Sequence, residues 1–301
     1  LVADADAVFA NFKPGTLASL GFSYEELRRL NPRIVLAESS AFGATGPWSG
    51  RMGYGPLVRA TTGVSRLWTD EAADGFYDAT TIFPDHVAAR TTAIAALAAL
   101  IGRESTGIGS HVHVSQAEAA VNQLATTYVA EAAREAGLAV DGDTAVHGVL
   151  PCLGDDEWCV ISVRSDADRA ALASVVGSEE LSDWTQARDK MDIARQLQHV
   201  GVPAAPMYSA LDVPADPQLR HRGLYTEMVH PLFDSPMLAE THCAPYQRIP
   251  DADLRPAPMA GQHTLEICHK LLGMDAVETG RLIAKCVLFS WPERTEPRGA
   301  T

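Results

Sequence analysis

The chain has 301 residues, 47% of them hydrophobic and 21% charged, and a net charge of -14 from 24 basic and 38 acidic side chains. That length accommodates about two domains of ~150 residues. The acidic balance argues against a nucleic-acid surface, and no 18-residue apolar run free of polar residues is present to cross a membrane as a helix.

The segment Leu1-Val2-Ala3-Asp4-Ala5-Asp6 has neither a basic stretch nor a long apolar one, so a cytoplasmic location is expected. Ala7 to Ala10 reads as a short buried strand, turned by Pro14-Gly15 into a helix through Leu17 and Leu20. A helix from Tyr24 to Leu30 is stopped at Asn31-Pro32, and Ile34 to Ala37 is a strand of the buried, parallel-sheet type. It empties into a Gly- and Pro-rich loop, Ser39 to Trp48, at the end of the strand where α/β folds place ligands.

From His86 to Gly102 seven alanines and the single charged residue Arg90 predict a helix buried on most sides. A polar turn at Arg103 to Gly109 precedes a strand, His111 to Ser115, and an amphipathic helix from Gln116 to about Ala136. Residues 137–148 read as a linker. Beyond it, a strand at Trp158 to Val163 and helices at Asp166–Val176 and Lys190–Val200 predict a smaller α/β or α+β unit. The Pro-rich stretch Pro203 to Pro258 has little periodicity and is expected to wrap surfaces, before helices at Gly261–Leu272 and Ala276–Ala284.

Five cysteines (Cys152, Cys159, Cys243, Cys268, Cys286) form no C-x-x-C pair and read as reduced thiols. His111 and His113 alternate in a strand pattern that puts both on one sheet face. They read as solvated strand histidines, and no metal site is expected.

Asp85 follows Pro84 and opens the Ala-rich helix, at the position of an N-cap. Capping and nucleophilic use are both open to it, because a helix N-terminus stabilises the ionised carboxylate and a carboxylate can attack a thioester to form an acyl anhydride. Backbone N–H groups of the loop Ala41-Phe42-Gly43 are candidate donors to the oxyanion that such an attack creates. An ordinary strand-to-helix connection is the alternative for that loop.

Several segments resemble the family III CoA-transferases, which include formyl-CoA transferase, carnitine CoA-transferases and α-methylacyl-CoA racemase. Ala5 to Gly15 (ADAVFANFKPG) is similar to the family's "AD-hydrophobic-ENFRPG", and Leu20-Gly21 through Asn31-Pro32-Arg33-Ile34 to its "LG-x-x-Y…NPRL". Ser40 to Pro47 (SAFGATGP) resembles "SGFGQTGP", and Asp85 with Arg103 to Gly109 resembles "AD…RERTGRGQ", in which the family's catalytic Asp opens the helix. Gly201 to Pro206 and Asp216 to Gly223 look like "GVPAGPV" and "DPQLRARG".

The resemblance implies an α/β fold with a Rossmann-like CoA-binding domain (residues 1–140, partial at its N-terminus), a smaller α/β domain (141–240) and a C-terminal return packing on the large domain (241–301), in an interlaced homodimer. It implies coenzyme A as substrate, held by Asn11, Phe12, Lys13, Pro14 and Leu20, with Asp85 as nucleophile, Ala41, Phe42 and Gly43 as the active-site loop, and acyl-CoA and carboxylic-acid partners. The family's first βαβ segment has no counterpart before Val8, so the chain is expected to be a piece of a longer polypeptide or one half of a fused or two-chain enzyme, catalytic or not.

Relatives often carry Arg where Ser19 stands, and formyl-CoA transferase carries Lys and Tyr where Gly53 and Gly55 stand. Ile108 and Ser110 replace a usual Arg and Gln. The remaining basic candidates are Lys13, ranked first, then Arg51, Arg59 and Arg66, each otherwise a solvated surface charge. The family's racemases use a His in a "GHD" segment where this chain reads Gly53-Tyr54-Gly55, so transfer is favoured over racemisation. His86 points about 100° away from Asp85 on a helix and is not expected to act as a second base.

Overall fold

The computed structural model describes residues 1–68, 82–140, 146–241, 244 and 246–291. Two compact units, Leu1–Val140 and Asp141–Thr301, divide the chain.

The first unit runs β1 (Ala7–Ala10), α1 (Thr16–Ser19), α2 (Tyr24–Leu30), β2 (Val35–Ser40), α3 (Gly55–Thr61), α4 (Phe83–Thr106), β3 (His111–Ser115), α5 (Gln116–Asn122) and α6 (Ala125–Glu135). The three strands form a parallel sheet in the order β1-β2-β3. Alternation along central β2 divides its side chains between two helical layers. Leu36 packs with Leu27 and Ile34 on the α2 side. Val35 and Ala37 pack with Ala96 on the α4 side. Each fully buried Val, Leu or Ile contributes on the order of 1.5–3 kcal/mol. The expected burial of β1 holds only in part, because Phe9 points outward and is 59% exposed.

Helix α4 is longer than expected and buried along one stripe, Pro84, Ala88, Thr92 and Ala96, at the four-residue spacing of a single helix face. Its opposite face carries exposed Ile94, Leu97 and Ile101. Alanine content alone could not separate a helix enclosed on all sides from one enclosed on a single side. The C-terminal turn is fixed by buried Arg103, whose guanidinium donates to Asp6 Oδ1 at 2.7 Å and to the Arg33 carbonyl at 3.0 Å. Arg103 to Thr106 therefore belong to the helix rather than to the expected turn. The single helix expected from Gln116 is two: Gln123 N–H bonds the Ala120 carbonyl and Leu124 N–H that of Val121, three-residue bonds that interrupt the α-helical ladder.

The second unit runs β4 (Val146–Pro151), β5 (Trp158–Val163), α7 (Asp166–Val176), α8 (Leu181–Gln186), α9 (Lys190–His199), β6 (Ala204–Met207), α10 (Pro217–His221), β7 (Tyr225–Met228), β8 (Met237–Glu240), α11 (Thr264–Lys270) and α12 (Ala276–Ala284). β4-β5-β6 is an antiparallel sheet, and β7 and β8 form a separate antiparallel pair. Cys159, Ile161 and Val163 face inward on β5, and the first two join Trp184, Ile193 and Leu197 in one core. Burial pushes the Cys159 thiol up to about 11, the state of a packing residue rather than a nucleophile. Cys152, Cys159, Cys268 and Cys286 are all free thiols; Cys243 lies outside the described residues. β4 begins within the stretch expected to be a linker, of which residues 141–145 lie outside the described residues.

Candidate active site

All three parallel strands deliver their carboxyl ends to one cavity of about 270 Å³. β1 is followed by Asn11, Phe12, Lys13 and Pro14, β2 ends in Ser40 and continues into Ala41 and Phe42, and β3 is followed by Gln116. This is the edge at which open α/β sheets bind ligands. Asp85 enters the same cavity from the first turn of α4.

Asp85 is not the N-cap. Ile82 occupies that position, Pro84 sits in the first turn, and the Asp85 N–H donates to the Ile82 carbonyl at 2.9 Å. Proline suits the first helical residues because its missing N–H would have had no helical partner there, and this moves the helix start upstream of Asp85. The carboxylate still lies in the first turn, where the helix dipole favours negative charge. It caps nothing: Oδ1 accepts from Gln116 Nε2 at 3.1 Å, and Oδ2 is buried with no hydrogen-bond partner among the described residues. Gln116 is itself buried, and its Oε1 is also unpartnered there.

Two glycines let the wall close to this extent. A Cβ at Gly55 would overlap Asp85 Oδ2, and one at Gly53 would stand 2.6 Å from the Ala41 Cβ. Lys and Tyr side chains could not be placed here without moving the carboxylate or the loop.

The loop after β2 is anchored by the Ala41 carbonyl, which accepts from Ala117 N–H at 3.0 Å. Phe42 packs edge-on to Trp48 at 5.4 Å, and the Arg51 guanidinium lies 5.0 Å from the Trp48 ring centroid. The N–H groups of Phe42 and Gly43 donate to no described residue. Lys13 and Arg51 are the cations of the wall and Asp85 its only acid among the described residues, so the cavity is locally positive in a chain of net charge -14.

Of the residues singled out in the sequence, Asn11, Phe12, Lys13, Pro14, Ala41, Phe42 and Asp85 share this cavity. Gly43 stands just outside it with φ +83°, and Leu20 is exposed at the end of α1 and lines neither this cavity nor its neighbour. Arg59 is not a solvated charge: it is buried in α3. The Arg66 side chain lies outside the described residues. His86 is exposed and lines no part of the cavity. Gln116 was read only as a helix start, Gly55 only as a departure from the family pattern, and Ser40 only as part of the loop Ser39 to Trp48. A polar residue immediately after a parallel strand is the signal that could have drawn attention to Gln116.

The histidines share one face of the sheet, as their alternation predicts; His111 is exposed as expected, His113 is half-buried, and each is held by a neighbour. His111 Nε2 lies 2.7 Å from Glu38 Oε2 and its ring stacks on Tyr24, while His113 Nε2 lies 2.9 Å from Ser40 Oγ. The parallel register causes this, placing Glu38 opposite His113 and Ser40 two residues further on.

A strand-end cavity with a first-turn carboxylate defines an α/β enzyme-like domain, and the comparisons give it a family. The family model described as CoA-transferase family III matches residues 1–264. The chain belongs to that family. It is 55% identical to a probable CoA-transferase of Mycobacterium tuberculosis, in an alignment covering 96% of this chain and 40% of that protein. It is 25% identical to the succinyl-CoA–L-malate CoA-transferase β subunit of Chloroflexus aurantiacus, covering 96% of this chain and 78% of that one. A solved CaiB/BaiF family protein from Brucella suis has the same fold, with a TM-score of 0.77 at 24% identity over 90% of this chain and 76% of that one. The chain thus spans two fifths of the length of the mycobacterial relative and about three quarters of the other two.

Proposed function

We propose that the chain carries the catalytic carboxylate of a CoA-transferase, which moves CoA from an acyl-CoA thioester to a carboxylic acid through covalent intermediates at Asp85. The observation that carries this reading is the Asp85 carboxylate, held at Oδ1 by Gln116 while the buried Oδ2 has no partner among the described residues at the wall of the strand-end cavity. A buried unpaired oxygen is costly and calls for an explanation, and a reacting atom is one.

In this reading Asp85 attacks the thioester carbonyl, and the oxyanion formed there is met by the free N–H groups of Phe42 and Gly43. Collapse expels CoA thiolate and leaves a mixed anhydride. The thiolate attacks the aspartyl carbonyl, releasing the donor acid as carboxylate and leaving an aspartyl-CoA thioester. The acceptor carboxylate then displaces the thiolate, which attacks the acceptor's acyl carbonyl in the new anhydride, giving the new acyl-CoA and free Asp85.

The residues present fit the reacting end of CoA. A cavity of about 270 Å³ is just below the roughly 300–1,000 Å³ that enclose a drug-sized ligand. It therefore suits the thioester and acyl group, with Asn11 to Pro14 and Arg51 at the wall toward the remainder. Leu20 is left as a contact for the more distant part of the substrate. No histidine lines the cavity among the described residues, which supports transfer over two-base racemisation. The exposed stripe Ile94, Leu97 and Ile101 supports burial of α4 against a second copy or another copy of the family fold, in an interlaced dimer.

The test is incubation with a panel of acyl-CoAs, succinyl-CoA first, as the named donor of the Chloroflexus relative. A hydroxylamine-sensitive mass adduct is expected on the peptide bearing Asp85 and is expected to be absent from Asp85→Ala. A folded wild-type chain that forms no adduct with any donor, or an adduct that survives in Asp85→Ala, overturns the reading.

A further inference from the structure

A second group of chemically capable side chains stands apart from Asp85, on the face of the sheet covered by α1 and α2. Glu38 on β2 and His111 and His113 on β3 each present one ligating atom, and the three atoms lie within 4.8 Å of one another. The register is responsible: Glu38 is the direct partner of His113, and His111 precedes it by two residues on the same face. Glu38 is largely enclosed, with 13% of its side chain exposed.

The His111–Glu38 contact alone would be an ordinary ion pair. His113 requires more. Its Nε2 is held by Ser40 Oγ, and its Nδ1 is buried without a partner among the described residues. An imidazole anchored through one nitrogen and unsatisfied at the other is the arrangement of a metal-ligating histidine, whose second nitrogen is oriented by its surroundings.

We propose that Glu38, His111 and His113 bind a first-row transition-metal dication of the zinc class. Two imidazoles and one carboxylate are a zinc donor set that leaves a fourth position open. Tetrahedral ligands at about 2.1 Å from zinc stand about 3.4 Å from one another, so binding opens the 2.7 Å His111–Glu38 contact slightly and closes any pair near the 4.8 Å limit.

Glu38, His111 and His113 also line a second cavity of about 240 Å³, whose wall includes Gly15, Tyr24, Glu25 and Ala44. It has room for water or an oxyanion ligand. Ser40 and Pro14 link the two sites: Ser40 holds His113 and lines the Asp85 cavity, and Pro14 lines both. The metal site does not depend on the transferase reading, since none of its ligands touches the Asp85 cavity.

The test is calorimetric titration of the chelator-stripped intact chain with Zn²⁺, with the optical spectrum of added Co²⁺ as a second readout. One equivalent is expected to bind, with a tetrahedral Co²⁺ spectrum free of thiolate charge-transfer bands. Removing a direct ligand should cost more than the roughly 10–100-fold that an outer-shell partner is worth, so His111→Ala, His113→Ala and Glu38→Gln are each expected to weaken binding by more than about 100-fold. His111 is half-exposed, so His111→Gln supplies a variant that leaves half-buried His113 in place; its metal-free melting temperature should match wild type while Zn²⁺ no longer raises it. Absence of saturable binding to the wild-type chain, or undiminished one-to-one binding by the His111→Ala/His113→Ala double variant, overturns the proposal.

Discussion

The Asp85 cavity in the first unit and the Lys190 cluster in the second treat buried polar groups in opposite ways. In the second, Lys190 is 9% exposed at its side chain and is met on every side: Nζ lies 2.6 Å from Glu157 Oε2 and 2.7 Å from Asp212 Oδ2, and donates to the Met207 carbonyl at 3.1 Å. Its two carboxylates, as hydrogen-bond acceptors, raise its pKa above the usual lysine value. In the first, Asp85 Oδ2, Gln116 Oε1 and His113 Nδ1 are buried and unpartnered among the described residues. A satisfied cluster holds a fold together, whereas unsatisfied groups at a strand-end cavity store interaction capacity for something that arrives later. On this comparison, substitutions at the Asp85 cavity should change chemistry at constant stability, and those around Lys190 should do the reverse.

The sharpest break in the comparison is Asp85→Asn, which keeps the shape and the Gln116 contact but cannot form the anhydride. Transferase turnover is expected to fall by about 10⁴-fold or more, the scale of losing a nucleophile, with the melting temperature unmoved. A large drop in melting temperature would instead make Asp85 a structural residue like Lys190. Gly55→Ala comes next. Its methyl group overlaps Oδ2 and must displace the carboxylate, and a displacement of about 1 Å costs about 100-fold in rate. Steady-state kinetics on the folded variant checks this, and unchanged turnover would mean that the close approach of Gly55 to Asp85 has no bearing on catalysis.

Lys190→Met tests the other side. Loss of the shared cation leaves Glu157 and Asp212 facing each other, at a cost of about 2 kcal/mol, or about 4–8 °C in melting temperature for a unit of this size. Per-molecule activity of the folded protein is expected to be unchanged.

Much of this layout was legible in the sequence because it rests on local rules. The helix at Tyr24–Leu30 ends where Asn31-Pro32 must end it, and the strands at His111–Ser115 and Trp158–Val163 follow alternation that leaves little choice of boundary. The gathering of Asn11–Pro14, Ala41, Phe42 and Asp85 around one cavity came from the family resemblance, since no periodicity joins positions that far apart. What escaped depends on register and packing. That Glu38 stands opposite His113 is set by how β2 and β3 align, and that Gly55 adjoins Asp85 is set by where α3 meets α4. The break at Gln123 is likewise invisible to an amphipathic pattern that continues across it.

The smallest expected effect concerns acid. Asp212 accepts from Lys190 and from the Ser209 N–H, which together lower its pKa to about 2 in the folded chain from an ordinary 3.8. The folded state therefore binds fewer protons than the unfolded chain between those values, and stability rises with pH across that window. The contribution is fully present above about 4 and is lost as pH falls toward 2. Asp212→Asn, which keeps an acceptor but no charge, is expected to flatten this part of the melting-temperature profile and to leave the profile's shape above pH 5 unchanged. Circular dichroism melts from pH 2 to 7 measure it. Parallel acid limbs for the two proteins would show that the Lys190 cluster contributes through packing and neutral hydrogen bonds, and the contrast between the two units would then rest on geometry rather than on charge.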